Sequence, residues 1–186
     1  MLNQLMPGLR LAALLTVLTG LIYPGVVTAL CRAFFPGAAN GSLITRDGAI
    51  IGSALLAQNF TRPEYFHPRP SAGNYDASAS GGSNLGPTSQ KLVDRIAAQR
   101  GQQATAGLIP ADLLTTSASG LDPHISPASA QTQLARVASA RGATPEAIAA
   151  LVATFVEPRA LGLLGEPRVN VLRLNLALDD RFPLRK

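Results

Sequence analysis

The residue types best suited to chemistry lie between positions 60 and 87, in a stretch rich in Pro, Gly, Ser and Asn. Near its end, the run SGGSNLGP (residues 80–87) has the glycines of a phosphate-binding loop. Such a loop also needs a lysine and a Ser or Thr after the glycines to hold phosphate and magnesium, and the run has no lysine. We therefore predict a turn, or a surface on which another chain packs, because Gly-Gly-Ser-Asn is ordinary turn chemistry.

A histidine-based metal site would have to use the two histidines of the chain. Glu64 and His67 have the spacing of ligands on one helix, but the adjacent Pro63 and Pro68 place them in a loop, where that spacing brings nothing to one face. A zinc site would also need His124 and a further carboxylate to converge on them. We predict no metal site.

A nucleophilic triad could be composed from Asp122, His124 and one of many serines, which would make the chain an anchored hydrolase. No G-x-S-x-G motif is present, however, and Asp122-Pro123-His124 is typical of a turn into a following helix. The Asp-Lys-Thr-Gly motif of the phosphorylated subunit of ATP-driven pumps is also absent. We assign no catalytic residue and predict that the chain is not an enzyme by itself.

The charge pattern argues against a nucleic-acid partner. Up to Phe35 the only charged residues are Arg10 and Arg32, so the rest of the chain carries 14 basic and 11 acidic groups. Its arginines are scattered singly, whereas nucleic-acid-binding proteins concentrate Lys and Arg on one face. Cys31, the single cysteine, lies in the apolar segment and cannot form an internal disulfide.

The elements that must position these residues begin with a membrane anchor. Between Arg10 and Arg32 lie 21 uncharged residues, which as a helix span about 31 Å, the thickness of a hydrocarbon core. In lipid the backbone groups must be satisfied within the segment, so we predict a helix that Pro24 kinks. The predicted organisation is a short tail (residues 1–10), a transmembrane helix (11–35) and a domain (36–186).

Two other interpretations of this segment are weaker. A cleaved signal peptide has an apolar region of only about 7 to 15 residues, although Val27-Thr28-Ala29 resembles a cleavage site. A lipoprotein signal ending at Cys31 would need a small residue where Leu30 stands. An uncleaved anchor is the better prediction.

Small side chains recur every four residues along the predicted anchor, on one slowly drifting face. They are Ala12, Thr16, Gly20, Pro24 and Thr28. Such faces let membrane helices approach closely, although small residues are common in any membrane helix. We predict Ala12, Thr16, Gly20 and Thr28 as a helix-packing face.

Turn and capping signals organise the first part of the domain. Asp47-Gly48 separates two short apolar runs and predicts a tight hairpin. Thr88 or Ser89 is expected to cap a helix that ends near Arg100, before Gly101. The apolar face of this helix would be Leu92, Val93, Ile96 and Ala97.

The second part is predicted as a strand, two helices and a further strand. The first strand is Leu113 to Thr116. Ser126-Pro127 begins a helix that reaches Arg141-Gly142, and Thr144-Pro145 begins another that reaches about Val156. In the last run, VNVLRLNLALDD, leucines alternate at 172, 174, 176 and 178, a period of two that is typical of a half-buried strand. The expected fold is one N-terminal transmembrane helix followed by an α+β domain with a small sheet and about three helices.

Specific strings then resemble a known family, the C subunit of the Kdp potassium-transporting P-type ATPase. The matching runs are TGLIYPGVVTAL, NGSLI, GSALLAQNF, YFHPRPSA, YDASASGGSNLGP, TSASGLDPHISPASA, RVASARG and LGEPRVNVLRLNLALD. They follow the family order over nearly the whole chain. One departure is Ala57, where the family pattern has glycine.

The resemblance implies a place in a complex of the bacterial inner membrane. The partners would be a channel-like potassium-translocating subunit, a P-type ATPase subunit and a small accessory peptide. It also implies a single span with a cytoplasmic N-terminus and an extracytoplasmic domain, an orientation that the arginines alone do not determine.

The role that the resemblance implies is that of a non-catalytic subunit that stabilises assembly. The family is also described as a catalytic chaperone that raises the ATP affinity of the P-type ATPase subunit. The alternative is a membrane-tethered nucleotide-binding module. No cofactor would be tightly bound, and ATP would act through the complex. Contacts to a nucleotide, if direct, would come from Ser80, Gly81, Gly82, Ser83 and Gln133.

Overall fold

The computed structural model describes residues 2–102 and 107–184. The chain divides into an N-terminal unit, Met1–Ile51, and a C-terminal unit, Gly52–Lys186. This agrees with the predicted fold class, because one long apolar helix precedes a domain of small sheets and several helices.

The N-terminal unit is a helical rod followed by a hairpin. Helix α1 (Leu2–Val17), a π-helical turn (Leu18–Ile22) and α2 (Tyr23–Phe34) follow one another without a break. Over Gln4–Phe34 the rod is long and apolar enough to cross a membrane. The helix includes residues 2–10, which the sequence assigned to a tail. A short helix, α3 (Pro36–Ala39), leads to the hairpin.

The π-helical turn lies directly before Pro24. Tyr23 N–H donates to the Leu18 carbonyl, five residues back instead of four. In a regular α-helix the proline ring would clash with the carbonyl of Gly20, and that carbonyl would lack its donor. A turn with one extra residue relieves the clash and keeps the rod helical.

The predicted hairpin is confirmed. Strands β1 (Leu43–Arg46) and β2 (Ala49–Ser53) pair across Asp47 and Gly48. These two residues have φ of 52° and 78°, as a two-residue turn of this type requires.

Five helices and three short strands form the C-terminal unit within the described residues. The helices are α4 (Gln90–Gln102), α5 (Ala111–Leu114), α6 (Pro127–Arg141), α7 (Pro145–Thr154) and α8 (Val171–Arg181). The strands are β3 (His124–Ile125), β4 (Val156–Glu157) and β5 (Arg168–Asn170). They form an antiparallel sheet in the order β3-β5-β4, in which Val169 lies opposite both Ile125 and Val156.

Helices α6, α7 and α8 enclose the core of the C-terminal unit, and one loop residue, Phe66, is also part of this core. Its fully buried side chains include Phe66, Val137, Ile148, Leu151, Val169, Leu174 and Leu178. Phe66 is the largest of them and comes from the loop that precedes α4, so the loop is part of the core. None of the residues of α4 whose side chains are described is buried, so its predicted apolar face lies outside the core.

The predicted starts of α6 and α7 are confirmed by their caps. The side chain of Ser126 accepts the Ser129 N–H and that of Thr144 accepts the Ala147 N–H. Gly142 ends α6 with a φ of 62°, a left-handed conformation that glycine adopts without strain.

Two predicted strands are wrong. The run from Leu172 to Leu178 is helical, because the Asn170 side chain accepts the Arg173 N–H and caps α8. Its buried positions 171, 172, 174, 175 and 178 lie on one side of a helix, a pattern that the alternating leucines concealed. The segment expected as a strand from Leu113 begins instead inside α5, which Pro110 initiates. In addition, α4 continues through Gly101 instead of ending before it.

Candidate functional site

Two side-chain amides hold consecutive residues of the loop between β2 and α4. Asn175, on α8, accepts the Phe66 N–H at 2.8 Å and donates to the Phe66 carbonyl at 2.9 Å. Gln133, on α6, accepts the His67 N–H at 2.8 Å and donates to the His67 carbonyl at 3.1 Å. Both amides are buried. Each therefore pairs with the loop backbone as a neighbouring strand would.

Two arginines of α6 bind the same loop just before Phe66. Arg136 donates to the carbonyls of Pro63 and Tyr65, at 2.6 and 2.9 Å. The Arg141 side chain is fully buried and donates to the Glu64 carbonyl at 2.8 Å and to Asp179 at 2.9 Å. We call residues 62–67 together with these side chains of α6 and α8 the loop clamp.

Tyr65 joins the clamp from the loop side. The guanidinium of Arg141 lies 4.9 Å from the centre of the Tyr65 ring, and the Tyr65 hydroxyl donates to Asp179 at 3.1 Å. The buried guanidinium is thus compensated by a carboxylate, carbonyl oxygens and an aromatic face, as a buried charge requires.

A cavity of about 630 Å³ lies beside the clamp. His67, Gln133 and Arg136 line it, with Tyr75 and Thr132 among the other residues. Burial and then the charge of Arg136 lower the pKa of His67 below its ordinary value of 6.5, against a raising effect of the Arg62 carbonyl. Since a carbonyl only accepts, the proton of the neutral ring is on Nε2, which lies 3.1 Å from that oxygen.

Gln133 is the one predicted nucleotide contact that borders this cavity. Its amide oxygen already accepts from His67 and from Arg136, the latter at 2.6 Å. The contacts of Gln133 therefore hold the loop, and its role toward a nucleotide stays a prediction.

The run SGGS packs on another part of the loop region. Ser80 and Gly81 donate to the carbonyl of Ser119, the Ser80 hydroxyl at 3.0 Å and the Gly81 N–H at 2.9 Å. Ser83 accepts from Thr116 at 3.2 Å, and a Cβ on Gly82 would lie 2.8 Å from the Ala118 carbonyl. A phosphate-binding nest would need the Gly81 N–H as a donor, but this N–H already donates to the Ser119 carbonyl.

The structure separates Ser80 from Gln133. Ser80 lines a second cavity of about 490 Å³, together with Arg69, Ser119 and Asp122. Gly81, Gly82 and Ser83 line neither of these two cavities. The four SGGS residues and Gln133 therefore do not converge on one of these cavities.

Asp122 and His124 do not form the geometry of a triad. His124 Nδ1 lies 3.7 Å from Asp122, but its Nε2 lies 3.5 Å from the amide nitrogen of Asn170, where a triad would place a serine hydroxyl. Burial alone would raise the pKa of Asp122, yet the hydrogen bonds from His124 and the charge of Arg69 outweigh it and lower that pKa. Asp122 acts as the partner of Arg69, at 3.2 Å.

The Glu64 and His67 pair is engaged within the loop. The Glu64 carboxylate lies 2.9 Å from the Arg62 side chain, and His67 is bound to the Arg62 carbonyl. Over residues 2–102 and 107–184, no cluster of three His, Cys, Asp or Glu side chains could hold a metal ion.

The predicted helix-packing face lies on both sides of the π-helical turn. Ala12 and Thr16 are on α1, Gly20 is in the turn, and Thr28 is on α2. All are exposed, and a Cβ on Gly20 would meet nothing within 4 Å. Among the residues of the N-terminal unit whose side chains are described, none covers this face.

Sequence reasoning missed the clamp residues Arg136, Arg141, Asn175 and Asp179. Asn175 and Asp179 lie in the run predicted as a strand. The sequence signal available was Asn175 between two leucines. An amide at such a buried position needs hydrogen-bond partners, so it indicates a specific contact. Its partner Phe66 is 109 residues away in the chain, and no local pattern points to it.

Comparison with known proteins then decides the family. A family model described as K+-transporting ATPase, c chain, matches residues 5–180. The chain belongs to this family. The match to the c-chain family includes the anchor and the whole loop clamp, and it confirms the resemblance drawn from the sequence strings.

Relatives in the c-chain family are similar along their whole length. A protein of Rhodospirillum rubrum, named potassium-transporting ATPase KdpC subunit, is 59% identical over 191 residues, which cover 99% of both chains. A protein of the same name from Gemmatimonas aurantiaca is 56% identical over 187 residues, 97% of this chain and 94% of the relative. One from Myxococcus xanthus is 55% identical over 190 residues, covering 98% and 90%.

Proposed function

We propose that the chain is a non-catalytic accessory subunit of an ATP-driven, high-affinity potassium uptake complex, and that it stabilises the assembly. One observation carries the proposal: a helix long enough to span a membrane, whose side chains are all exposed, belongs to a chain whose relatives are named subunits of a potassium-transporting ATPase. The loop clamp supports it, because its polar groups hold the domain together instead of forming a reactive centre.

The anchor contributes to assembly through its small side chains. Exposed small residues at Ala12, Thr16, Gly20 and Thr28 suit close packing of a neighbouring membrane helix. The channel-like potassium-translocating subunit is the proposed neighbour, and the P-type ATPase subunit and a small accessory peptide complete the complex.

Co-purification with a tagged channel-like subunit tests this role. Gly20→Leu should lower recovery of the chain several-fold, because a large side chain would hold the helices apart. Gly25→Leu is the matched control, since Gly25 also has open space around it but lies outside the four-residue row. If wild-type chain does not co-purify, the proposed function is wrong; if both variants co-purify equally, only the packing face is wrong.

We place the chain in the bacterial inner membrane with its N-terminus in the cytoplasm and its domain outside. Ala79→Cys, at an exposed position near Ser83, reports the side of the domain when combined with Cys31→Ser. A membrane-impermeant thiol reagent added to intact spheroplasts should label it. Labelling only after lysis would contradict this orientation.

A second candidate function is a direct contribution to nucleotide use, by which the chain would raise the ATP affinity of the P-type ATPase subunit. The 630 Å³ cavity with Gln133 and Arg136 on its wall favours it. Thr132→Glu is a probe of this cavity, because Thr132 lines it and an added carboxylate would repel the phosphates of a nucleotide, and Thr132→Gln, which has the same size and no charge, is the control. Saturable ATP binding to the full chain that Thr132→Glu alone weakens would support this candidate, and no saturable binding would exclude direct contact.

A further inference from the structure

The cavity of about 630 Å³ beside the loop clamp carries one positive charge. Among the described residues that line it there is no Asp, Glu or Lys, and Arg136 is the one arginine. The lowered pKa of His67 leaves that ring neutral at pH 7. The volume lies within the range of about 300–1,000 Å³ that is typical of sites for small organic ligands. The cavity therefore has the size of a binding site and a charge that suits an anion.

Arg136 lacks the carboxylate partner that the other arginine of the clamp has. Arg141 pairs with Asp179, whereas no described carboxylate lies within ion-pair distance of Arg136. The acceptors of Arg136 are neutral, namely two loop carbonyls and the amide oxygen of Gln133. Burial lowers the pKa of Arg136, because water solvates the cation only in part. A partly buried cation without a counter-ion favours the binding of an anion.

The Arg136 guanidinium also retains donors for such an anion. Its hydrogen bonds within the chain use Nη1 twice and Nη2 once, and its Nε–H has no acceptor among the described residues. The Nε of Arg69 is buried without a partner, but the Nε of Arg136 is not buried, so a ligand can reach it. A guanidinium has five N–H groups, which leaves two here, and a planar carboxylate matches two donors of one guanidinium.

Two hydroxyl groups of the same wall can accept hydrogen bonds from a ligand. The Tyr75 hydroxyl donates its hydrogen to the Arg69 carbonyl at 2.9 Å, and the Thr132 hydroxyl donates to the Ala128 carbonyl at 3.0 Å. Since each hydrogen is used inside the protein, each oxygen has lone pairs left for a donor. A polyphosphate would bring several negative charges to one cation, whereas an acylated amino acid supplies one carboxylate and one N–H group.

We propose that this cavity binds a carboxylate that is attached to an amide N–H, with the carboxylate on Arg136 and the N–H on the hydroxyl oxygen of Tyr75 or Thr132. This is the chemistry of an acylated amino acid and of a peptide C-terminus. It is an alternative to a nucleotide in the same cavity. The site does not depend on the proposed accessory role, which fails separately if the wild-type chain does not co-purify with the channel-like subunit.

Titration of the full chain in detergent micelles with N-acetylglycine, followed by NMR, tests the proposal. Binding should be saturable, and it should be at least about tenfold weaker for the methyl ester, which keeps the N–H group and loses the charge. Acetate, which lacks the N–H group, should also bind more weakly. The absence of saturable binding, equal binding of the ester or of acetate, or tighter binding of ATP overturns the proposal.

A charge introduced on the cavity wall gives a matched pair of variants. Ala135 is exposed and lines the cavity, so its substitution leaves the loop clamp in place. Ala135→Glu should weaken binding of N-acetylglycine at least about tenfold, because the added carboxylate repels the ligand and competes for Arg136. Ala135→Gln has nearly the same size and helix propensity and should bind as the wild type does. Equal affinities of the two variants overturn the proposal.

The His67 ring reports where the carboxylate binds. Burial and then the charge of Arg136 lower the pKa of His67, and a carboxylate on Arg136 would offset that charge. Saturating N-acetylglycine should therefore raise the pKa of His67, measured by NMR from the carbon-bound protons of the ring. An unchanged pKa at saturation overturns the placement of the carboxylate on Arg136.

The assembled complex distinguishes the two sources of this chemistry. If the natural ligand is a free acylated amino acid, the complex should bind N-acetylglycine as the chain alone does. If the C-terminus of another subunit occupies the cavity, the complex should not bind N-acetylglycine. Either result supports the carboxylate site that the chain alone has shown, and it identifies the source of the ligand.

Discussion

Asn175 and Phe66 exchange two hydrogen bonds, of 2.8 and 2.9 Å, across 109 residues of sequence. The pair joins a buried amide of α8 to the backbone of the residue whose ring fills the core. Backbone groups in a core must be paired, and in a loop without a strand partner this side chain supplies the pairing. The backbone of Phe66 thereby has both of its hydrogen bonds, as it would in a sheet.

Asn175→Leu should strongly destabilise the C-terminal unit. The substitution leaves the N–H and the carbonyl of Phe66 buried without partners, which we expect to lower the free energy of unfolding by about 2–4 kcal/mol. Thermal unfolding followed by circular dichroism measures the change. Asn59→Leu, at an exposed position of the same loop region, is the control. Equal stability of the two variants would show that the amide pairing contributes nothing.

Arg141→Met should also destabilise, because one side chain serves three oxygen atoms. Glu64, Asp179 and Phe182 would each lose a donor, and we expect a loss of about 3 kcal/mol. Urea unfolding of this variant and of Arg100→Met, an exposed arginine on α4, gives the comparison. A loss no larger than that of Arg100→Met would contradict a role of Arg141 in the loop clamp.

His67 should make stability depend on pH. Its pKa in the folded chain is below 6.5, so as the pH falls through 6.5 the unfolded chain binds a proton that the folded chain does not. Stability is thus complete above the unfolded pKa and decreases toward the lower folded pKa. The midpoint of thermal or urea unfolding should decrease when the pH is lowered from about 7.5 to about 5. This decrease should be smaller in His67→Gln. Parallel curves for both proteins would refute this assignment.

Gly120→Ala should loosen the packing of the SGGS run. Gly120 has a φ of 69°, and a Cβ there would lie 2.8 Å from the Gly81 carbonyl, a backbone atom that cannot yield easily. We expect a loss of about 1–3 kcal/mol and faster proteolysis between residues 71 and 87. Gly86→Ala, which has open space and no left-handed φ, should unfold like the wild type.

Local signals predicted the parts of the fold that local chemistry determines. The Asp47-Gly48 turn, the Ser126 and Thr144 caps and the apolar length of the anchor each depend on a few adjacent residues. Helix α8 was missed because its alternating leucines fit two periods, and only the Asn170 cap distinguishes them. The spacing of apolar residues alone does not determine whether a short apolar run is a helix or a strand.

The candidate site was less predictable because it is made of distant pairs. Gln133 was singled out through resemblance, whereas its partner His67 lies 66 residues away. The hairpin between β4 and β5 left a sequence trace only in the two Glu-Pro-Arg triplets at its ends, and their ion pairing is visible only once the strands are in register.

The π-helical turn before Pro24 determines the azimuth of the second half of the anchor. In an unbroken α-helix, at about 100° per residue, Thr28 would point about 160° away from Ala12. One extra residue in the turn reduces that angle to about 60°, which returns the small side chains of α2 toward those of α1. Pro24 thus aligns the small side chains of the two halves of the membrane helix. The hydropathy of the segment alone would not reveal that this alignment had been lost.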